Sequence, residues 1–135
     1  MKQEDKELLL KDLCARLPYG VLIQEKCLEN VKMFLPNEET DRLINIDVAN
    51  GTLITNGGSF YHIDEIKPYL FPISSMTEEQ IEELESLMEV TTVPYFGEVL
   101  SPTPKYYDWL DKNKFDYRGL IPMGLAIDTT GLNIY

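Results

Sequence analysis

Leucine spacing near the start of the chain predicts a helix over residues 4–16. Four leucines recur at the interval that places side chains on one helix face: Leu9, Leu10, Leu13 and Leu17. Acidic residues occupy the early turns, where the helix dipole favours negative charge. Pro18 ends the predicted helix, because proline disfavours the α conformation in the residue before it.

Alternating apolar and polar positions predict strands between residues 20 and 63. The expected strands cover residues 21–26, 30–35, 42–48, 52–55 and 59–63. Asn50-Gly51 separates the third from the fourth, and this pair favours a type I′ turn with positive φ at both positions. Short connections favour an antiparallel meander, and curling into an SH3-like barrel would limit its exposed edges. We therefore predict an α+β fold in which a small antiparallel, SH3-like sheet is flanked by an N-terminal helix and a helical C-terminal lobe.

The stretch from residue 63 to residue 88 predicts a connector followed by a well-defined helix. Residues 64–67 favour a short helical turn closed by Pro68, and residues 69–73 an apolar connector held extended by prolines. Thr77 and Gln80 match a capping box, and Met76 and Ile81 match the accompanying hydrophobic staple. The helix is expected to continue to about residue 89, with one buried stripe and one acidic face.

The last third of the chain predicts a mixture of helix and irregular structure. Residues 90–102 are interrupted by Pro94 and Gly97 and favour an extended segment with an edge strand near Val99. Thr103-Pro104 is a good helix start, and this helix is expected over residues 104–113. We predict a single domain over residues 1–135, with a β-rich part at 20–63 and a helical or irregular lobe at 77–135.

Charge is unevenly distributed along the chain. The net charge is −11, and residues 77–104 carry seven glutamates and no lysine or arginine, which gives −7 for that segment. The acidic face of the predicted helix carries Glu78, Glu79, Glu82, Glu83 and Glu89. An acidic surface repels phosphate, so direct nucleic-acid binding is disfavoured. The acidic face could meet a basic protein partner, or it could be a solvated helix face that keeps the protein soluble.

Few residues offer candidate chemistry. His62 is the only histidine, and Asp64 follows at a spacing that could orient it as a base or begin a metal site. Asp116, Tyr117 and Arg118 form the best polar cluster, in which the arginine could tie the tail to the core or contact a ligand. Cys14 and Cys27 stand apart without a CxxC spacing. We predict no cofactor and no metal.

Three phrases of the chain resemble a known family. The phrases LCARLPYGV, EIKPYLFPISSMTEEQ and FDYRGLIPMGLAID occur in this order. They resemble phrases of short, uncharacterised proteins encoded by gut anaerobes and their prophages and phages, most closely over residues 13–21, 66–79 and 116–126. The resemblance transfers no catalytic residue and implies a cytoplasmic protein associated with phages or mobile elements. The family often has a histidine just before its DYRG phrase, where this chain has none.

Together these observations favour a non-enzymatic protein-interaction module. One alternative is an acidic DNA mimic that inhibits a nucleic-acid-binding protein. Another is a small enzyme with a site near His62 or Arg118. The N-terminus lacks the pattern of a signal peptide, and no run of residues is long and apolar enough to span a membrane. We therefore expect a cytoplasmic protein without membrane contact.

Overall fold

The computed structural model describes residues 1–26 and 35–135, which form an α+β fold of four helices and eight strands. In chain order the elements are α1 (Gln3–Arg16), β1 (Ile23–Glu25), α2 (Glu38–Asp41), β2 (Leu43–Asp47), β3 (Thr52–Thr55), β4 (Phe60–His62), β5 (Ile66–Leu70), α3 (Glu78–Glu85), β6 (Met88–Val93), β7 (Gly97–Pro102), α4 (Pro104–Lys112) and β8 (Ile127–Asp128). Among these described residues, no helix has both the length and the apolar character needed to cross a bilayer.

The predicted N-terminal helix is confirmed as α1. Leu9 and Leu13 are fully buried, and so are Asp12 and Arg16, which lie one helical turn apart. One face of α1 therefore carries an apolar stripe and a charged pair side by side, and both enter the interior. The helix ends at Arg16, just before the proline that was expected to end it.

The predicted SH3-like barrel is not found in the part of the chain that the structure describes. The strands there form three separate sheets, ordered β1-β5-β8, β2-β3-β4 and β6-β7. A barrel requires neighbouring strands to close into one continuous sheet. Instead the chain leaves β4 and pairs β5 with β1, antiparallel, and with β8, parallel. The strand predicted over residues 30–35 lies outside the described residues except for its last position.

The turn between β2 and β3 also differs from its prediction. Asp47 pairs with Thr52, so the loop contains four residues rather than two. Gly51 has a φ of 65°, whereas Asn50 is not among the residues with positive φ. A type I′ turn needs positive φ at both positions, and the longer loop removes that requirement.

Pro68 lies inside β5, a strand with neighbours on both sides. The N–H of Tyr69 points towards β1 and donates to the carbonyl of Leu22 at 2.9 Å. Because successive residues of a strand point in opposite directions, the nitrogen of Pro68 points away from β1. On that other side β8 pairs with Tyr69 and Leu70 and does not reach Pro68. The missing N–H therefore costs no ladder hydrogen bond. The helical turn predicted over residues 64–67 is the shorter 3-10 helix Ile63–Glu65, and Ile66 and Lys67 belong to β5 instead.

The capping box of α3 is confirmed. The backbone N–H of Gln80 donates to the hydroxyl of Thr77 at 3.2 Å, and the backbone N–H of Thr77 donates to the Gln80 side chain at 2.9 Å. The helix is shorter than predicted, because it ends at Glu85 and β6 begins three residues later. The hydroxyl of Thr103 donates to the carbonyl of Leu87 at 2.6 Å and so fixes the start of α4 against the end of α3.

Two clusters of buried side chains hold the elements together. The larger one joins α1 to the first two sheets and to the C-terminal tail, and includes Leu9, Leu13, Val21, Ile23, Leu43, Leu53, Ile63, Ile66, Leu70, Leu120 and Leu125. The smaller one lies beneath α3 and α4 and is centred on Leu84, Leu110 and Phe115. Trp109 stacks on Phe115 with ring centroids 5.7 Å apart. The segment 77–135, expected to be a helical or irregular lobe, thus contains two helices and also the β6–β7 hairpin.

Candidate functional site

A buried ion pair lies on the inner face of α1. Asp12 and Arg16 are completely buried, and the guanidinium of Arg16 donates to both carboxylate oxygens of Asp12, at 2.9 and 3.0 Å. Arg16 also donates to the carbonyl of Phe115 at 2.6 Å, which ties α1 to the segment after α4. Buried charges require such pairing, because an unpaired charge in the interior carries a large desolvation cost.

The predicted polar cluster joins this ion pair from the opposite end of the chain. Arg118 donates to Asp12 at 2.7 Å and lies 3.5 Å from Asp111. Desolvation acts to lower the pKa of Arg118, but the hydrogen bond to Asp12 and the surrounding negative charge together outweigh it and raise the pKa above its ordinary value. The hydroxyl of Tyr117 donates to Asp111 at 2.9 Å. Burial and this hydrogen bond raise the pKa of Tyr117 to about 12.

Asp116 also has internal partners. Its two carboxylate oxygens accept hydrogen bonds from the backbone N–H groups of Leu120 and Ile121, each at 2.8 Å. The structure therefore brings Tyr117 and Arg118 into one polar cluster with α1 and α4, whereas Asp116 caps the backbone of the turn that follows it. Because the carboxylates and guanidiniums face groups of the same chain, this cluster is suited to fixing the tail rather than to holding a substrate.

The predicted pair of His62 and Asp64 lies at the surface. The Nδ1 atom of His62 is 3.3 Å from Oδ2 of Asp64, and the two side chains are 44% and 38% exposed. Lys6 lies 3.1 Å from the same carboxylate oxygen. Desolvation acts to raise the pKa of Asp64, but the hydrogen bond and charge of Lys6, together with the charges of His62 and the N-terminus, outweigh it and lower the pKa. Such a solvated, lysine-paired carboxylate is poorly suited to general acid catalysis, which needs a raised pKa.

The acidic face is reproduced in part. Four of its five predicted members lie on α3 and are exposed: Glu78, Glu79, Glu82 and Glu83. Glu89 is not on the helix and instead pairs with Ser101 in the β6–β7 hairpin. No ion pair connects a glutamate of α3 to any lysine or arginine within residues 1–26 and 35–135. The face therefore presents negative charge that the described chain does not neutralise.

The β6–β7 hairpin is the most exposed element of the structure. Its loop comprises residues 94–96, between the paired residues Val93 and Gly97. Tyr95 is fully exposed and Phe96 is 82% exposed. Side chains along both strands are exposed on both faces, so the hairpin projects from the body instead of packing against it.

An open cleft lies at the base of the hairpin, between α3 and α4. Its volume is about 650 Å³. Apolar side chains from the segment before α3, from both helices and from the start of β6 line most of it: Ile73, Met76, Ile81, Leu84, Met88, Tyr106 and Leu110. Glu85 and Asp116 are its acidic members. The cleft and the hairpin are continuous, because Met88 both begins β6 and lines the cleft.

The edge strand predicted near Val99 is present as β7, but its pairing with β6 into a hairpin and the cleft beside it were not predicted from the sequence. The available signal was the run of β-branched residues at 90–93, followed by Pro94 and Gly97 as turn residues. The cleft could not be found in this way, because its walls come from elements whose packing depends on the tertiary fold.

The described residues contain no group of three histidine, cysteine, aspartate or glutamate side chains placed to hold a metal ion. Comparisons with protein-family models, with curated proteins and with solved structures find no match to the chain. The surfaces of the chain itself are therefore the basis for inferring its function.

Proposed function

We propose that the chain is a non-enzymatic protein-interaction module whose partner-binding surface is the β6–β7 hairpin. The observation that supports this proposal is the exposure of apolar side chains along the hairpin. Tyr95 and Phe96 lie at its tip, and Val90 and Leu100, 58% and 62% exposed, face each other across the strands. Scattered exposed apolar residues are ordinary, whereas several on one projecting element mark an interaction site.

The stability of a two-stranded hairpin supports the same proposal. An isolated hairpin is marginally stable at best in water and needs a third strand or a packing surface. In the described part of the chain, β6 and β7 pair with each other and with no further strand. A partner that packs on the hairpin would bury its apolar face and supply that support.

The backbone at the tip points to function rather than stability. Tyr95 has a φ of 71°. This left-handed region is disfavoured for residues other than glycine, asparagine and aspartate. A fully exposed tyrosine gains no packing in the free protein to offset this strain. Strained residues on exposed loops are typical of binding sites, and tyrosine combines a large apolar ring with a hydroxyl suited to interfaces.

Charge defines the partner's chemistry. The hairpin carries Glu89 and Glu98 and no basic residue, and it follows directly on the acidic helix α3. A complementary surface would be apolar at its centre and would carry lysine or arginine at its rim. A second copy of the chain brings the same acidic segment, so like charges oppose self-association through this face.

The other two functions receive less support from the geometry. An eight-residue helix such as α3 is about 12 Å long, which corresponds to only a few phosphate steps of DNA, so a DNA mimic would need acidic groups elsewhere. The enzyme alternative places its chemistry at His62, which is partly solvated, or at Arg118, which is held by carboxylates of the chain. The family resemblance associates the proposed module with phages and mobile elements.

Site-specific photo-crosslinking tests the proposal in cells that express the chain naturally. A benzoyl-phenylalanine replaces Tyr95 in one variant and Phe60, an exposed aromatic residue of β4, in the other. We expect one protein partner to crosslink through position 95 and not through position 60. Crosslinking of the same proteins from both positions, or no crosslinking from position 95, would contradict the proposal.

The purified partner then permits a quantitative test. The double variant Tyr95→Asn and Phe96→Ser keeps a residue that tolerates positive φ but removes both aromatic rings. We expect it to weaken binding by about tenfold or more, since aromatic anchors dominate interface energies. The matched variant Phe60→Ser should bind as the unmodified chain does, and equal affinity of all three proteins would show that the hairpin is not the binding surface.

A further inference from the structure

We propose that the cleft between α3 and α4 binds a basic amphipathic helix of the partner, seating its apolar side chains between the two helices and its lysine or arginine residues against Glu85 and the adjacent Glu82 and Glu78 of α3. This inference extends the proposed function, on which it depends, from the hairpin to a second contact surface. It also names the chemical character of the segment that the partner must present.

The shape and lining of the cleft suit an apolar helix face. Its volume of about 650 Å³ lies within the range of ordinary ligand sites, and it is an open trough between two helices rather than a closed cavity. Ile73 and Ile81, both exposed by more than two fifths, lie on its wall and leave apolar surface unburied. Helix-in-groove recognition uses such a trough, with apolar anchors at helical spacing.

Two methionines favour a peptide side chain as the occupant. Met76 and Met88 line the cleft from opposite ends of α3 and are partly buried. Methionine is unbranched and polarisable, so it adapts to side chains of different shape and is common on surfaces that bind helical peptides. A cleft lined in this way can accept leucine, isoleucine or phenylalanine from a partner helix.

The charge of the rim selects a basic partner. Glu85 lines the cleft, and Glu82 and Glu78, which precede it by three and seven residues, are exposed on the same side of α3. Glutamates spaced three and four residues apart repel one another, which destabilises the helix. Lysine or arginine residues on a bound helix would convert this repulsion into attraction, whereas an acidic helix would increase it.

Continuity with the hairpin places both contacts on one surface. Met88 lines the cleft and is also the first residue of β6, where it pairs with Pro102 of β7. A helix seated in the cleft would therefore lie beside the root of the hairpin. A partner could then contact the exposed hairpin and the cleft at the same time.

Binding of designed peptides to the purified full chain tests the inference. The probe is a synthetic amphipathic helix of about 18 residues, built from leucine and lysine and labelled for fluorescence anisotropy. Its two controls are a scrambled peptide of the same composition and a peptide with glutamate in place of lysine. We expect the amphipathic basic peptide to bind about tenfold more tightly than the scrambled one, and the acidic peptide not to bind.

Paired variants locate the binding. Ile73→Ser with Ile81→Gln removes apolar surface from the cleft, and should weaken the basic peptide by about tenfold. Ile44→Gln with Val48→Ser changes two aliphatic residues outside the cleft that are at least as exposed, and should leave affinity unchanged. Circular dichroism establishes that each variant is folded before its affinity is compared.

Charge reversal separates local from general attraction. Glu82→Lys with Glu85→Lys should abolish most of the binding at low salt, whereas Glu4→Lys with Glu7→Lys makes the same change of net charge on α1. Equal effects of the two charge variants, or equal binding of the scrambled peptide, would overturn the inference, because attraction would then come from net charge alone.

The hairpin variant distinguishes this inference from the proposed function. Tyr95→Asn with Phe96→Ser does not alter the cleft, so it should bind the basic peptide with unchanged affinity while losing the natural partner. If the peptide binds at the cleft but the partner still binds the hairpin variant, the proposed role of the hairpin fails. If the partner requires the hairpin but the peptide ignores the cleft variants, the cleft inference fails.

Discussion

At the scale of single residues, the fold depends most strongly on Arg16. Its guanidinium neutralises Asp12 in the interior and also satisfies the carbonyl of Phe115. We expect Arg16→Met to lower the free energy of unfolding by about 3–5 kcal/mol, since it leaves a buried carboxylate with only part of its compensation. Urea unfolding measures the change, and Lys11→Met on the exposed face of the same helix should shift stability by no more than about 0.5 kcal/mol.

A second variant shows whether the cost comes from the uncompensated charge. Asp12→Leu combined with Arg16→Met removes both members of the ion pair, and it should be more stable than either single change. Arg118 retains Asp111 as a partner in that double variant. A loss below about 1 kcal/mol for Arg16→Met, or additive losses in the double variant, would mean that the buried pair is not a coupled unit.

At the scale of elements, the β6–β7 hairpin should open far more readily than the rest of the fold. Leu53 of β3 is completely buried, whereas Val90 and Val99 are exposed on strands that lack a third neighbour. We expect the hairpin amides to exchange hydrogen through local opening, with a free energy well below that of global unfolding, and the amide of Leu53 to exchange only through the global transition. Native-state hydrogen exchange in low urea measures both.

Binding of the partner should change this pattern of hydrogen exchange. The purified partner is expected to slow exchange in the hairpin, because burial of the hairpin's apolar face removes the open state. Protection of Val90 and Val99 equal to that of Leu53 in the free protein would contradict the proposal that the hairpin is an unsupported element.

At this scale, the sequence could predict the structure that depends on residues close together in the chain. The leucine spacing of α1 and the capping box of α3 are interactions within a few residues, so their patterns are visible in the chain itself. Pro68 was misleading because a strand accepts a proline at any position where no neighbouring strand needs a backbone N–H. Whether an N–H is needed at position 68 depends on how far β8 extends along β5. The barrel prediction was wrong for a similar reason. Pairing between strands that are far apart in the chain cannot be recognised from the pattern of a single sequence.

The candidate site shows the same division. Asp116, Tyr117 and Arg118 could be recognised as a polar cluster because they are adjacent in the chain. The partner of Arg118, Asp12, lies 106 residues away in the chain, and no local pattern indicates such a contact. The cluster was therefore predictable as a group of residues, while its structural role depends on the fold.

At the scale of the whole molecule, net charge is the dominant property. The chain carries 23 acidic and 12 basic side chains, and its net charge of −11 makes the compact state repel itself. The buried ion pair contributes little salt dependence, because screening acts mainly on exposed charges. We expect added NaCl to raise the free energy of unfolding, by about 1 kcal/mol if the close glutamate pairs of α3 are the main source.

The salt dependence should itself depend on α3. Glu79→Gln with Glu82→Gln removes four close pairs of like charge from the helix, so this variant should be more stable than the unmodified chain at low salt and less sensitive to added salt. Glu4→Gln with Glu7→Gln makes the same change of net charge on α1 and serves as the control. Urea unfolding at low and high NaCl compares all three proteins. The free energy of unfolding could instead fall with added salt, or both variants could respond equally to salt. Either result would show that charge repulsion is not concentrated on α3. The glutamates of α3 would then have no local repulsion for a basic partner to relieve.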